Sequence, residues 1–203
     1  FWVTVAVLLV VGVAVYLVTR KKSSKKSFWT AKTMAVGAMC MALSSVLSLI
    51  KLWPMPMGGS VTPASMLPLL LFAYCYGVGP GMVLGALYGV MQFLLDGMAW
   101  AALGAIPNLL DYPIAFGLLG LAGCFRGSKA KMTAGFVLGC FGRFMASFLS
   151  GFIFYGQYAP EGVNPVWYSL TYNGSYMLVE CIICIALGLL VGERLAKELK
   201  KVA

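Results

Sequence analysis

Three ionisable residues lie inside apolar runs, where a charge is costly unless it is paired or faces a polar cavity. They are Asp111 in the run PNLLDYP, Arg143 in GRFMAS and Glu180 in MLVEC. Asp111 and Arg143 either neutralise each other as a structural pair or line a cavity that accepts a ligand. Glu180 fits a structural or a functional role equally well. In the cavity interpretation, neighbouring polar side chains contribute: Asn108, Ser147, Ser150, Ser169 and Asn173.

Aromatic residues stand on both sides of one short segment, at 154–158 and at 167–172. Near a membrane surface such residues most often form an interfacial belt. Rings on both sides of a segment, with a carboxylate on a neighbouring helix, also suit a cage for a flat or cationic organic ligand, through stacking and cation–π attraction. This pattern favours a small aromatic cation over an inorganic ion.

The sequence lacks the residues that catalysis, metal binding and ATP use most often require. The chain has no histidine and no G-x-x-x-x-G-K-[ST] stretch, so it has no phosphate-binding loop of the kind that uses ATP. The six cysteines mostly lie inside apolar runs and are expected to be packing residues. We therefore predict no catalytic residues, no metal site and no cofactor, and we predict that the chain is not an enzyme.

The composition requires a lipid environment. Of the 203 residues, 61% are hydrophobic and 10% are charged, and the mean hydropathy is +0.91. Ordinary soluble domains carry about 25% charged residues. The net charge of +9 is concentrated in short segments between apolar runs, which indicates membrane topology and not nucleic-acid binding.

The pattern predicts an all-α membrane protein with one extra N-terminal helix and a six-helix core. Residues 1–18 form the extra span or a signal anchor, because their basic residues follow the apolar run and so disfavour a cleaved signal peptide. We assign 1–27 to this helix and its basic linker, and 28–203 to a six-helix membrane domain that contains the candidate cavity residues. The predicted core spans are 28–52, two short helices within 66–95, 104–125, 132–156 and 166–192.

The two short helices depend on a break at residues 77–81, which read GVGPG. With that break, the basic segments 20–26, 126–131 and 194–201 fall on one side of the membrane. The positive-inside rule makes that side cytoplasmic and leaves the connections 53–65, 96–103 and 157–166 outside. The C-terminus is then predicted to be cytoplasmic.

Four ordered motifs resemble the thiamine-specific substrate-binding (S) subunits of energy-coupling factor (ECF) transporters, the ThiT family. The motifs are PMGGSVT with SMLP at 56–68, LDYPIAFG at 110–117, SGFIFYGQYAP at 150–160 and WYSLTYN at 167–173. The resemblance runs from about residue 30 to the C-terminus and leaves the helix 1–18 outside.

The resemblance implies a high-affinity thiamine binder in a prokaryotic plasma membrane. It also implies partners, namely one transmembrane coupling protein and two ATPases, which supply the energy that this chain cannot. Carried over by position, the ligand contacts are Asp111, Tyr112, Arg143, Ser147, Tyr155, Tyr168 and Asn173. Two of the chain's residues depart from the family pattern: Ser147 replaces the usual histidine, and Gly59 stands where some members have tryptophan.

The first core helix carries small residues on one face, at Ala31, Ala35, Ala38 and Ala42. Small residues at this spacing allow helices to approach closely. The resemblance implies that this face docks on the coupling protein, whereas packing within the bundle is the alternative. For the ligand, a thiamine precursor or another vitamin remains open. For the transport mode, a self-sufficient facilitator remains open, as does a scaffold that binds nothing.

Overall fold

The computed structural model describes residues 29–56 and 58–202, and the predicted helix 1–18 lies outside these residues. The described chain is a bundle of helices, with one short hairpin between the first and second. The helices are α1 (Ala31–Leu49), α2 (Leu67–Tyr76), α3 (Val78–Gln92), α4 (Ala105–Cys124), α5 (Lys129–Phe154), α6 (Pro165–Leu187) and α7 (Glu193–Val202). The hairpin pairs β1 (Trp53–Pro54) with β2 (Ser60–Val61) in antiparallel register.

The predicted break in the long apolar stretch is confirmed and falls at Gly77. This residue has φ 103°, a conformation that costs glycine little, and it separates α2 from α3. Helix α2 has 10 residues, so it is only about 15 Å long, half the thickness of a bilayer core. The segment before it, 62–66, is therefore buried inside the bundle without being helical.

Helices α3 and α4 pack with their backbones almost in contact. A Cβ atom at Gly85 would lie 2.2 Å from the Phe116 carbonyl oxygen, and one at Gly89 would lie 2.4 Å from that of Tyr112. Small residues at such spacing are how membrane helices pack closely when no hydrophobic effect drives them together. This contact fixes the height of the central turn of α4 relative to α3.

The turn Leu110–Ile114 in α4 is π-helical and contains Pro113. Proline lacks the amide hydrogen of a regular helix and its ring crowds the preceding turn, which accounts for the local widening. Two further π-helical turns follow α3 and α6, at Phe93–Gly97 and Gly188–Gly192. The second one ends at Gly192, where the predicted span 166–192 ends, and the chain stays helical beyond it into α7.

The lipid-facing surface is apolar, as the composition requires. Met39 is 69% exposed and Leu178 is 64% exposed, and both lie on the outside of the bundle. Within the described residues, five helices are long and apolar enough to cross a membrane, and α2 is a sixth, shorter apolar helix. The predicted six-segment core is present, and the structure is that of an all-helical membrane protein.

Two ends of the bundle can be distinguished. The hairpin end carries the β1–β2 hairpin, the 3-10 turn Met98–Leu103 and the connection 155–164. The basic end carries the connection 125–128 and helix α7. There the Tyr76 hydroxyl donates a hydrogen bond of 2.6 Å to the Leu199 carbonyl, and this contact attaches α7 to the end of α2.

Candidate functional site

A cavity of about 110 Å³ lies at the hairpin end of the bundle. Residues 58–60 of the hairpin line it from one side, and α3, α4, α5 and α6 supply most of the remaining wall. Every residue predicted to contact a ligand lines this cavity: Asp111, Tyr112, Arg143, Ser147, Tyr155, Tyr168 and Asn173.

Asp111 lies on the π-helical turn of α4. Its Oδ2 accepts a hydrogen bond of 2.7 Å from the Ser150 hydroxyl on α5, and Ser147 and Tyr155 also face the carboxylate. Widened turns of this kind are frequent at functional sites, because they re-aim one side chain without ending the helix. The carboxylate is thus oriented by α5 and remains on the cavity wall.

Arg143 does not form the ion pair with Asp111 that one interpretation of the sequence expected. The ion pairs of the described residues are Lys51 with Asp96, Lys129 with Glu193 and Lys201 with Glu198. Instead, the Arg143 guanidinium carbon lies 4.1 Å from the centre of the Phe116 ring, a cation–π contact. Its Nε is buried and has no hydrogen-bond partner. Both charges therefore line the cavity without neutralising each other by direct contact.

Asn173 is the centre of a polar network between α5 and α6. Its Nδ2 donates to the Ser169 carbonyl at 3.1 Å and to the Ser147 carbonyl at 3.3 Å, while its Oδ1 accepts from the Tyr176 hydroxyl at 3.2 Å. Asn173 is buried, so these bonds offset the cost of removing the amide from water. The network holds the amide in one orientation at the cavity wall.

The aromatic residues separate into two groups. Tyr168 and Tyr172 line the cavity with ring centroids 6.0 Å apart, and Tyr155 faces it from the end of α5. Trp167 is 63% exposed and does not line the cavity, which agrees with an interfacial belt. Only some of the rings that the sequence singled out therefore line the cavity.

The polar side chains predicted to contribute to the cavity also fall into two groups. Ser147, Ser169 and Asn173 line the cavity, and Ser150 supports Asp111 from behind. Asn108 does not line it; its Nδ2 donates to the Gly104 carbonyl at 2.7 Å, one turn back along α4.

Some cavity residues were not among the predicted contacts. Tyr172 and Tyr176 continue the stripe that begins at Tyr168, at the four-residue spacing that places helical residues on one face, so this spacing was a signal available in the sequence. Tyr88 and Gln92 on α3 were harder to find. They lie in a helix with no charged residue, and the packing of α3 against α4 and α1 brings them to the cavity.

Comparison with known proteins now gives the family. The family described as thiamine transporter protein (Thia_YuaJ) matches residues 34–199. The chain belongs to this family. Bacillus subtilis (strain 168) has a relative, thiamine transporter ThiT, that is 38% identical over 144 residues, covering 64% of this chain and 73% of that protein. Thiamine transporter ThiT of Lacticaseibacillus paracasei is 31% identical over 170 residues, covering 76% of this chain and 81% of that protein.

Solved structures share the fold. ThiT from Listeria monocytogenes aligns with a TM-score of 0.72 at 21% identity, over 82% of this chain and 96% of that one. The S component of a bacterial ECF transporter aligns with a TM-score of 0.57 at 19% identity, over 83% of this chain and 98% of that one. The predicted family and fold are therefore confirmed, and the chain is a multi-pass membrane protein of a prokaryotic transporter family and not an enzyme.

The structure gives a physical reason for one departure from the family pattern. A Cβ atom at Gly59 would lie 2.7 Å from the Tyr176 ring, so this position has no room for a tryptophan while Tyr176 keeps its place. Tyr176 thus fills part of the space beneath the hairpin. Ser147 is buried at the cavity wall and is smaller than the histidine usual in the family.

The alanine face of α1 does not pack inside the bundle. Ala31, Ala35, Ala38 and Ala42 are all exposed, whereas the opposite face of the same helix is buried. The structure thus leaves this face open to a partner or to lipid, and packing within the bundle does not explain it.

Proposed function

We propose that this chain is the thiamine-binding S subunit of an ECF-type importer. The observation that carries the proposal is the cavity, where an oriented carboxylate, an amide and tyrosine rings meet without a neutralising ion pair at Asp111. Asp111 offsets the charge of the thiazolium ring, Tyr168 and Tyr172 stack on the aromatic rings, and Asn173 pairs with the aminopyrimidine. The names of the ThiT relatives support thiamine as the ligand.

In the proposed orientation the hairpin end faces outside and the basic end faces the cytoplasm. The positive-inside rule supports this, because Arg126, Lys129, Lys131 and the basic residues of α7 lie at one end. At the hairpin end, Lys51 is neutralised by Asp96 through contacts of 2.8 and 3.0 Å. The C-terminus is then cytoplasmic and the cavity takes its ligand from outside.

We also propose that the alanine face of α1 docks on the coupling protein of a module with two ATPases. The exposure of all four alanines supports this role, and a sequence without a phosphate-binding loop agrees with an energy supply from a partner.

Binding by the purified chain tests the ligand. Thiamine should quench tryptophan fluorescence in a saturable way, and the hydroxymethyl aminopyrimidine precursor and unrelated vitamins should bind more weakly. Tighter binding of the precursor would assign it as the ligand in place of thiamine. No binding by any vitamin would contradict the proposal in favour of a scaffold.

Uptake tests the energy source. Cells should accumulate thiamine through this chain only when the coupling protein and both ATPases are present, while binding by the isolated chain should need neither. Movement of thiamine across vesicles that contain this chain alone, without ATP, would show a self-sufficient facilitator instead.

A further inference from the structure

We propose that Glu180 is a positioning residue: it clamps the segment 60–66 to α6, holds the hairpin against the cavity, and so sets how slowly a bound ligand leaves. The effect on the ligand rests on the proposed function, whereas the clamp itself can be tested without a ligand.

The carboxylate of Glu180 is buried, with 3% of the residue exposed, and both of its oxygens are engaged. Oε2 accepts from the Thr62 backbone amide at 3.0 Å, and Oε1 accepts from the Ser65 hydroxyl at 2.9 Å and from the Thr62 hydroxyl. All three donors come from one segment that lies more than a hundred residues away in sequence. Bonds to an ionised acceptor are roughly twice as strong as bonds between neutral groups, so this is the strongest attachment of the segment to α6.

The segment needs such an attachment because its backbone is not helical at the depth of the cavity. Irregular backbone inside a membrane is tolerated only where its polar groups are satisfied by protein or water. Glu180 supplies an acceptor for the Thr62 amide, and the Thr62 hydroxyl in turn accepts from the Ser65 amide at 3.0 Å. None of the ion pairs of the described residues involves Glu180, so these hydrogen bonds account for the polar contacts of its carboxylate.

The clamp is continuous with the hairpin. Thr62 directly follows β2, and residues 58–60 line the cavity together with Thr62, Ser65 and Glu180. Beyond the clamp, the polar contact between hairpin and α6 is weaker: the Gly59 amide donates to the Tyr172 hydroxyl at 3.4 Å. Val61 also packs on Tyr176 and Met177. If the carboxylate is lost, the hairpin keeps this weaker hydrogen bond and the apolar packing of Val61 and Met55, and it should leave the cavity more readily.

The variant Glu180→Gln tests this inference, because an amide has the same shape but only one acceptor oxygen. In stopped-flow tryptophan fluorescence with thiamine, we expect the dissociation rate to rise about tenfold or more, while the association rate changes less than about twofold. The matched control is Glu198→Gln, which removes an exposed carboxylate whose partner is Lys201 at the basic end. It should leave both rates unchanged.

Hydrogen exchange of the ligand-free protein gives a second readout, whose pattern along the chain distinguishes the clamp from a role in overall stability. Backbone amides of 58–66 should exchange faster in Glu180→Gln, while those of α5 keep their protection. If Glu180→Gln cannot be purified, Thr62→Val and Ser65→Ala each remove one hydroxyl donor and should show the same two effects to a smaller degree.

The outcomes separate this inference from the proposed function. Unchanged exchange of 58–66 in all three variants, or an unchanged dissociation rate in protein that binds thiamine, would overturn the clamp. Exchange that rises uniformly over the whole bundle would also overturn it, since Glu180 would then act on general stability. If the wild-type chain binds no thiamine while exchange of 58–66 still rises selectively, the clamp stands and the proposed function fails.

Discussion

The role of Asp111 is tested by Asp111→Asn, which removes the charge and nearly preserves the shape. If the carboxylate chiefly offsets a cationic ring, the variant should lose about 1 to 3 kcal/mol of binding free energy, the scale of a charge-assisted contact. This corresponds to a rise of roughly 5- to 150-fold in the Kd for thiamine. Isothermal titration calorimetry with the purified protein measures it directly.

The structure also predicts what this variant does to stability. Asp111 has no ion pair with Arg143, so removing its charge does not strand a partner. The bond of 2.7 Å from the Ser150 hydroxyl can be kept by the amide oxygen. We therefore expect the free energy of unfolding to change by no more than about 1 kcal/mol, well below the several kcal/mol lost when a buried pair is broken.

Asp96→Asn is the matched control, because Asp96 also lines the cavity but is paired with Lys51. The Kd of Asp96→Asn for thiamine should change clearly less than that of Asp111→Asn. Two results would refute the reasoning: normal thiamine binding by Asp111→Asn, or an Asp111→Asn protein that folds only when Arg143→Gln is introduced with it. The second result would show that the two residues are a structural pair despite their separation.

Three further predictions follow from the packing and the topology. A cysteine at position 58 should be labelled from outside the cell and one at position 129 from inside; labelling of both from one side would contradict the assigned topology. Gly89→Ala should lower the unfolding midpoint and weaken thiamine binding, because the new Cβ meets the Tyr112 carbonyl; an unchanged midpoint would show that α3 and α4 separate easily. Ala38→Trp should abolish uptake while binding is retained, whereas Leu43→Trp, on the same exposed helix but outside the alanine face, should preserve uptake.

The fold could be predicted because its signals are local. Long apolar runs give the spans, and the break at Gly77 follows from a glycine and proline cluster that no regular helix accommodates. The helical continuation beyond 192 had no such local signal. The basic residues after 192 mark the membrane boundary, but a helix continues past that boundary when its polar face is hydrated, as α7 shows.

The cavity could be predicted only in part. Charges and amides in apolar runs identified Asp111, Arg143 and Asn173, because each is costly without a polar neighbour. Which of these side chains contact each other was not predictable, since the distance between two helices depends on packing and not on spacing in the sequence. The partner of Arg143 proved to be the Phe116 ring, and Glu180 proved to be bound by a segment more than a hundred residues away.

In the proposed function, the two faces of α1 allow the same subunit to bind its ligand alone and to be driven by a partner. Its inward face is buried and reaches the cavity at Ser48, whose hydroxyl lies 3.2 Å from the Gln92 Oε1 on α3. Its alanine face points away from the bundle and contributes no residue to the cavity wall. A partner that docks on the alanines therefore leaves every ligand contact in place, so docking need not compete with binding. Because α1 also packs on α2 and α3 inside the bundle, a movement imposed at the proposed docking face should carry the rest of the subunit with it.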